Sequence, residues 1–276
     1  MDTLNSNLQF DNFDPTRPAS SEVKPPFPCI EMNWHNGFST SESKNTKYFG
    51  GWQISEENAG LALGTFGKLY SLFGEVEQWA KGKGEGTYPA RSTRFITCAP
   101  VATRVKWYEG RDGNKGASKT QIIVYLCEIN KEHKITPYAP ALLYCGSYHA
   151  GIAVSQAFQS WSNFINTNRE SAAIGNIPAW AFWGYFGTFG DKRTTKEVGK
   201  TVKNMIVPCQ VNFPKDPTSI RSLYVGDEIA SEIMGLRKQL QEWLDDAKPQ
   251  KRQQTQQDEN PFDSSSDEAS SDEFLY

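Results

Sequence analysis

The sequence lacks the short motifs and long apolar runs that mark several large classes of protein. No run of 18 or more apolar residues occurs, so no transmembrane helix is predicted. There is no HExxH, CxxC or Gly-x-Ser-x-Gly motif and no phosphate-binding loop. The three histidines, His35, His133 and His149, lie far apart in the sequence. We therefore expect no metal site, no cofactor and no enzymatic activity.

Cysteine is scarce and irregularly spaced. An odd number of cysteines without a CxxC pair predicts neither a disulfide framework nor a zinc site. The first thirty residues are polar and Pro-rich and lack the apolar core of a secretory signal. We expect a cytoplasmic protein that does not associate with membranes. The five cysteines are Cys29, Cys98, Cys127, Cys145 and Cys209.

Acidic residues are concentrated near the C-terminus. Residues 258–276 contain seven acidic residues and no basic one. Removing these seven from the 32 acidic residues leaves 25 acidic against 29 basic residues, a charge of +4 for the rest of the chain. A basic body with an acidic tail indicates nucleic-acid binding, although a charge of +4 is also ordinary for a body of this length.

Composition divides the chain into four parts. Residues 1–28 are dense in proline, which predicts an extended arm. Residues 29–246 carry nearly all the aromatic and β-branched residues and are the expected folded domain. Residues 247–257 have no apolar pattern and are expected to be a flexible linker, and residues 258–276 a disordered acidic tail with an aromatic tip.

Apolar periodicity predicts a mainly β domain with two helices. Helices are expected at about 148–167 and 226–246, where apolar residues recur at spacings of three and four. The order of strands around the first helix is that of an OB-fold. We therefore predict an α+β, OB-like Greek-key barrel with one inserted helix and a C-terminal helix. The predicted strands are 94–98, 103–108, 120–127, 141–145, part of 179–189, and 202–213.

A basic stretch with interleaved aromatic residues runs from 81 to 119. Nine basic residues face only three acidic ones there, and single-stranded nucleic acid requires this mixture of cations for phosphates and rings for bases. If Trp107 faces the core, the exposed ring is Tyr108 or Phe95. A solvated sheet face beside a Gly-rich loop would have the same composition. The predicted contacts are Lys81, Lys83, Arg91, Arg94, Arg104, Lys106, Trp107, Tyr108, Arg111, Lys115 and Lys119.

Two further segments are candidates for the same surface. The 190–203 loop is basic, and in an OB-like barrel the loop between the last two strands flanks the binding groove. The run 179–189 has aromatic residues at both odd and even positions, so in a strand some rings face outward unless both faces are covered. From these segments we predict contacts by Trp180, Trp183, Tyr185, Lys192, Arg193 and Lys196.

The acidic tail ends in three apolar residues. An aromatic tip among carboxylates can dock in an apolar pocket that has a basic rim, or cover the basic groove of the same chain. A tail that serves only solubility does not require such a tip. The predicted partner-binding residues are Asp272, Glu273, Phe274, Leu275 and Tyr276.

The basic body, the Gln-rich linker and the acidic tail with its apolar end resemble the single-stranded DNA-binding proteins of bacteria and phages. The bacterial tail usually ends in Ile-Pro-Phe, whereas this chain ends in Phe274-Leu275-Tyr276. The segments 12–18 and 24–28 also resemble a group of uncharacterised cyanobacterial and cyanophage proteins. The resemblance implies an OB-fold, single-stranded DNA as a ligand, and replication, recombination or repair proteins as partners of the tail.

The sequence thus predicts a non-enzymatic protein that coats single-stranded DNA and recruits partners through its tail. One alternative is a phage or cyanobacterial protein–protein adaptor without affinity for nucleic acid. Another is a metal-dependent nuclease whose Asp, Glu and His residues are brought together by the fold. The oligomeric state stays open, and a homo-oligomer is one option.

Overall fold

The computed structural model describes residues 23–35, 38–39, 47–48, 50–80, 87–108, 117–130, 132, 134–145, 148–189, 196–198, 204–206 and 208–246. Within these residues the protein is mainly β with a few helices. The strands are β1 (Ile30–His35), β2 (Phe38–Ser39), β3 (Lys47–Tyr48), β4 (Gly51–Ser55), β5 (Glu77–Ala80), β6 (Thr87–Thr93), β7 (Phe95–Tyr108), β8 (Ala117–Ile129), β9 (Ile135–Cys145), β10 (Gly184–Gly187), β11 (Lys196–Val198), β12 (Asn204–Ile206) and β13 (Gln210–Val211). The helices are α1 (Glu56–Phe66), α2 (Tyr148–Thr167), α3 (Asp227–Gln239) and α4 (Gln241–Asp245), with 3-10 turns at Ala179–Ala181 and Pro217–Leu223.

Eleven of these strands form one sheet, in the order β13-β10-β7-β8-β9-β1-β4-β6-β5-β2-β3, and β11 pairs with β12 separately. The pair β1 and β9 is parallel, with Ile30 opposite Ala141 and Trp34 opposite Cys145. The other neighbouring strands of this sheet run antiparallel.

The sheet curls because two strands that are consecutive in the chain, β6 and β7, lie at separate positions in the strand order. Only Arg94 separates β6 from β7; β6 pairs with β4, and β7 pairs with β8. The strand path β7-β8-β9-β1-β4-β6 therefore returns to the segment from which it started. The indole Nε1 of Trp52 on β4 donates to the carbonyl oxygen of Phe186 on β10 at 3.0 Å, which holds the two sides together. The predicted mainly β class is confirmed, and the OB-like barrel stays a prediction.

The helices cover both faces of the central strand β8, whose residues 121–127 are all buried. On one face, Val154, Phe158, Trp161 and Ile165 of α2 are buried at the helical spacing that predicted this helix, and its observed bounds agree with the prediction. On the other face lie α3 and α4, separated at Leu240 where a single helix 226–246 was expected. The sheet thus forms the middle layer of the molecule.

Several predicted strand boundaries were wrong. The predicted strands 94–98 and 103–108 form one strand of 14 residues that begins at Phe95, and a bulge between Pro100 and Ala102 accommodates the proline. The segment 202–213 contains two short strands, β12 and β13, rather than one. The strands β1 and β4, which complete the strand path, were not predicted. In β1 the period-two alternation of Ile30, Met32 and Trp34, all buried, is the signal that would have found it.

None of the described helices is long and apolar enough to cross a bilayer. All five cysteines lie in the described part of the chain and are free thiols.

Candidate nucleic-acid interface

Part of the predicted interface lies outside the described residues. For Trp107, Tyr108 and Lys196 only the backbone is described. The residues outside the description are Lys81, Lys83, Arg111, Lys115, Lys192 and Arg193, together with the tail residues Asp272, Glu273, Phe274, Leu275 and Tyr276.

Arg104 and Lys106 lie under α4 rather than on an open face. The Arg104 side chain is 2% exposed, and its guanidinium carbon lies 4.1 Å from the ring centroid of Trp243. Its Nη1 donates to Asp246 Oδ2 at 3.1 Å and to the Trp243 carbonyl at 2.5 Å, and its Nε donates to Gln121 Oε1 at 2.5 Å. Lys106 Nζ donates to the same Asp246 Oδ2 at 2.5 Å.

We call Asp246, Arg104 and Lys106 the Asp246 cluster. The cluster fastens the C-terminal end of α4 to β7, and the carbonyl of Val23 accepts a further bond from Arg104 Nη2 at 3.3 Å. The expected open face is thereby corrected, because the face with Arg104 is covered and Val105 on the opposite face is 53% exposed. In this conformation Arg104 is not accessible to a phosphate.

Four other predicted residues are partly or fully buried. Arg91 is half-buried, and its Nε donates to Glu56 Oε1 at 3.0 Å. Trp183 is 1% exposed and its ring lies near that of Tyr125, so it offers no surface on which a base can stack. Tyr185 is half-buried, and desolvation raises the pKa of its phenol. Lys119, on β8, is also half-buried.

Arg94, within the basic 81–119 stretch, contacts Thr188, which lies two residues before the basic 190–203 segment. Arg94 is exposed at the bend between β6 and β7. The backbone N–H of Thr188 donates to the Arg94 carbonyl at 2.8 Å, and Thr188 Oγ1 donates to the Gly50 carbonyl at 2.5 Å. The contact therefore fixes the described end of the chain before residue 190 beside Arg94.

Two half-buried rings, those of Phe95 and Phe189, lie next to the contact between Arg94 and Thr188. Their centroids are 5.7 Å apart and their planes are inclined by 31°. The close approach of β10 to β7 here requires Gly187, because a Cβ at that position would lie 2.1 Å from the Arg94 carbonyl oxygen. We call Arg94, Phe95 and Phe189 the Phe95–Phe189 patch. Phe95 was one of the alternatives for an exposed ring, whereas Phe189 was not selected, because its half exposure depends on the pairing of β10 with β7.

At the other end of β10, Trp180 is half-buried beside a groove of about 580 Å³. Arg169 and Arg237 also line this groove. Neither arginine was predicted, because Arg169 in the turn after α2 and Arg237 in α3 have the sequence surroundings of ordinary surface charges. The predicted stacking residue Trp180 is therefore found beside two unpredicted cations.

The titratable groups of the described core give no sign of acid–base or nucleophilic chemistry. Burial lowers the pKa of His35 to about 4, so the imidazole is neutral at physiological pH. Burial raises the pKa of the Cys29 and Cys145 thiols to about 12, which disfavours the reactive thiolate. Among the described residues, no group of three His, Cys, Asp or Glu side chains is placed to hold a metal ion.

Comparison of the chain with protein-family models, with curated proteins and with solved structures finds no match. The candidate interface therefore rests on the geometry of the Phe95–Phe189 patch, in which an exposed arginine lies beside two half-buried rings.

Proposed function

We propose that the protein binds single-stranded DNA and coats it during replication or recombination. The observation that carries the proposal is the hydrogen bond from the Thr188 N–H to the Arg94 carbonyl, at 2.8 Å. It joins Arg94, within the basic 81–119 stretch, to Thr188, which lies two residues before the basic 190–203 segment, and the half-exposed rings Phe95 and Phe189 directly follow these two residues in the sequence. Cations beside aromatic rings match the repeating chemistry of a single strand, in which each phosphate is followed by an unpaired base.

The patch fits a single strand better than a duplex. A tilted pair of rings offers a face to an unpaired base, whereas the bases of a duplex are already stacked on one another. Electrostatic attraction to phosphates would supply affinity without sequence preference. We propose that Lys192 and Arg193 act with Arg94 in holding the backbone.

An OB-like barrel is also part of the proposal. The strands β7, β8 and β9 are consecutive, α2 follows them, and β1 and β4 supply the two remaining positions of a five-membered strand path. OB-folds bind oligonucleotides on one sheet face and its flanking loops. Here α2 covers one face of β8, and α3 and α4 cover the other, which favours the end of the curled sheet as the binding surface.

The acidic tail completes the proposal. We propose that Asp272 to Tyr276 recruit replication or recombination proteins, with Phe274 and Tyr276 in an apolar pocket and the carboxylates on a basic rim. A cytoplasmic location accords with such partners.

A salt titration tests the proposed function. Oligo(dT) added to the full chain at low ionic strength should quench tryptophan fluorescence, and the logarithm of the association constant should fall linearly with the logarithm of salt concentration. A slope of about −0.7 is expected for each phosphate neutralised on a single strand. Absence of binding at low salt would reject the proposal.

A second candidate, a protein–protein adaptor, is favoured by one observation. Two leucines on α1 point to solvent, Leu61 with 63% and Leu63 with 50% of its surface exposed. They lie two positions apart, so each offers a separate apolar contact on a different side of the helix, which a protein partner would cover. An adaptor would form a stable complex with a protein partner and show no affinity for oligo(dT).

A further inference from the structure

The groove beside Trp180 has the size and chemistry of a small-ligand site. It lies where α2 ends near β7, the 3-10 turn Ala179–Ala181 and α3, and its volume of about 580 Å³ is in the range of ligand pockets. Its lining combines a half-exposed indole, two guanidinium groups, two hydroxyls and an amide. The residues that contribute these groups are Thr103, Ser162, Asn166, Arg169, Trp180 and Arg237.

Arg237 is placed to contact a ligand. Its guanidinium carbon lies 5.6 Å from the centroid of the Trp180 ring. Among the described residues the one hydrogen bond of its guanidinium runs from Nη1 to the Val101 carbonyl, which leaves the Nε–Nη2 edge to other acceptors. Arginine remains charged at neutral pH even where burial lowers its pKa, as it does here. The edge of a guanidinium is suited to paired hydrogen bonds with phosphate oxygens.

Arg169 forms the wall of the groove rather than a contact. Its Nη1 donates to the carbonyls of Gly175 and Ile177 at 2.8 and 2.7 Å. Its Nε and Nη2 both donate to Asn166 Oδ1, at 3.1 and 2.8 Å. These bonds fix the turn that follows α2, so Arg169 adds positive charge to the groove while its donors are used within the protein.

We propose that this groove is a subsite for one nucleotide of a bound single strand, with the base against the indole of Trp180 and the phosphate on the Nε–Nη2 edge of Arg237. The inference rests on the proposed function and extends it to a second contact. Trp180 and Phe189 lie at opposite ends of β10, nine residues apart, which is at most about 30 Å for an extended chain. One oligonucleotide of the usual site size, about 4–16 nucleotides, can therefore contact both places.

Matched variants of the full chain test separately the stacking of a base on Trp180 and the binding of a phosphate by Arg237. Trp180→Leu should weaken oligo(dT) binding about 5- to 100-fold, whereas Trp180→Phe, which keeps a ring, should retain most of the affinity. Arg237→Gln should weaken binding at low salt and make the salt slope shallower by about 0.7. Lys238→Gln is the control, because it removes an equal charge from the next position of α3 and does not line the groove.

Folding is checked by thermal melting of each variant. Arg237→Lys serves if the glutamine variant is unstable, since it keeps the charge and loses the planar edge. It should keep the salt slope and lose affinity.

Photo-crosslinking gives a readout that a merely structural role would not produce. On irradiation, oligo(dT) that carries 5-iodouracil should crosslink to Trp180 itself, and fragment mass spectrometry must assign the residue because the tryptic peptide 170–192 also contains Phe189. Crosslinks confined to other residues, or Trp180→Leu and Arg237→Gln variants that bind like Lys238→Gln, would overturn the subsite. In that case the binding of the wild-type chain to oligo(dT) would leave the proposed function standing, whereas absence of wild-type binding would remove both.

Discussion

The two ends of β7 carry the same kinds of residue and use them differently. At one end, Arg104 and Lys106 lie under α4 and share Asp246, with Arg104 only 2% exposed. At the other end, Arg94 is exposed and Phe95 lies half-buried against Phe189. The two ends have similar composition, yet the cations at one end are covered by α4 and the arginine at the other is exposed.

The difference comes from partners that are distant in the sequence. Asp246 lies 142 residues from Arg104, and the bond between them forms only when α4 docks on the sheet. Arg94 meets Thr188 through its backbone carbonyl, so its side chain is not consumed by that contact. The role of a basic residue in this protein therefore depends on what the tertiary fold places over it.

Replacing the buried cation should have the largest effect. Arg104→Ala is expected to lower the free energy of unfolding by about 3–5 kcal/mol, because Gln121 and the Trp243 carbonyl lose their donor and the Trp243 ring its neighbour. Arg94→Ala at the exposed end should cost less than about 1 kcal/mol. Urea unfolding of both variants measures the difference, and equal losses would contradict the contrast between the two ends.

Lowering the pH should destabilise the folded protein through His35, which lies at the end of the sheet that carries the Phe95–Phe189 patch. His35 pairs with Gly51, whose neighbour Gly50 accepts the Thr188 hydroxyl, and burial lowers the His35 pKa from 6.5 to about 4. Between pH 4 and pH 6.5, His35 is protonated in the unfolded chain and largely neutral in the folded chain. Stability should therefore be lost as the pH falls from 6.5 towards 4, by up to about 3 kcal/mol, and be independent of this group above 6.5.

The His35→Gln variant isolates this contribution. Its free energy of unfolding should depend less steeply on pH between 4 and 6.5 than that of the wild-type chain. Parallel pH curves for the two proteins would show that His35 is not the group responsible.

Local sequence patterns predicted the helices and strands whose buried residues recur at regular spacing or form a continuous apolar run. The spacing of Val154, Phe158, Trp161 and Ile165 was sufficient to place α2, since one face of a helix requires that spacing. The strand β8 was found because its residues are apolar on both faces, as expected of a strand covered by helices on each side.

The remainder depended on long-range pairing. The parallel contact of Ile30 with Ala141 spans 111 residues, and nothing near Ile30 specifies it. Trp183 is buried and Trp180 is half-exposed, although the two residues are only three positions apart. Trp183 lies beneath the segment around Leu223, and its backbone N–H donates to the Leu223 carbonyl. For the interface, composition identified the basic segments, and the fold was needed to choose the residues within them.

The most direct test of the central claim compares rings at two surface sites. The double variant Phe95→Leu/Phe189→Leu keeps apolar volume at the patch and removes both rings. Phe213→Leu is the control, since that ring is 39% exposed and packs against Phe164 away from the patch. We expect the double variant to bind oligo(dT) at least about 10-fold more weakly than the wild-type chain, and the control to bind like it. Wild-type affinity in the double variant would contradict the assignment of the Phe95–Phe189 patch as the nucleic-acid interface.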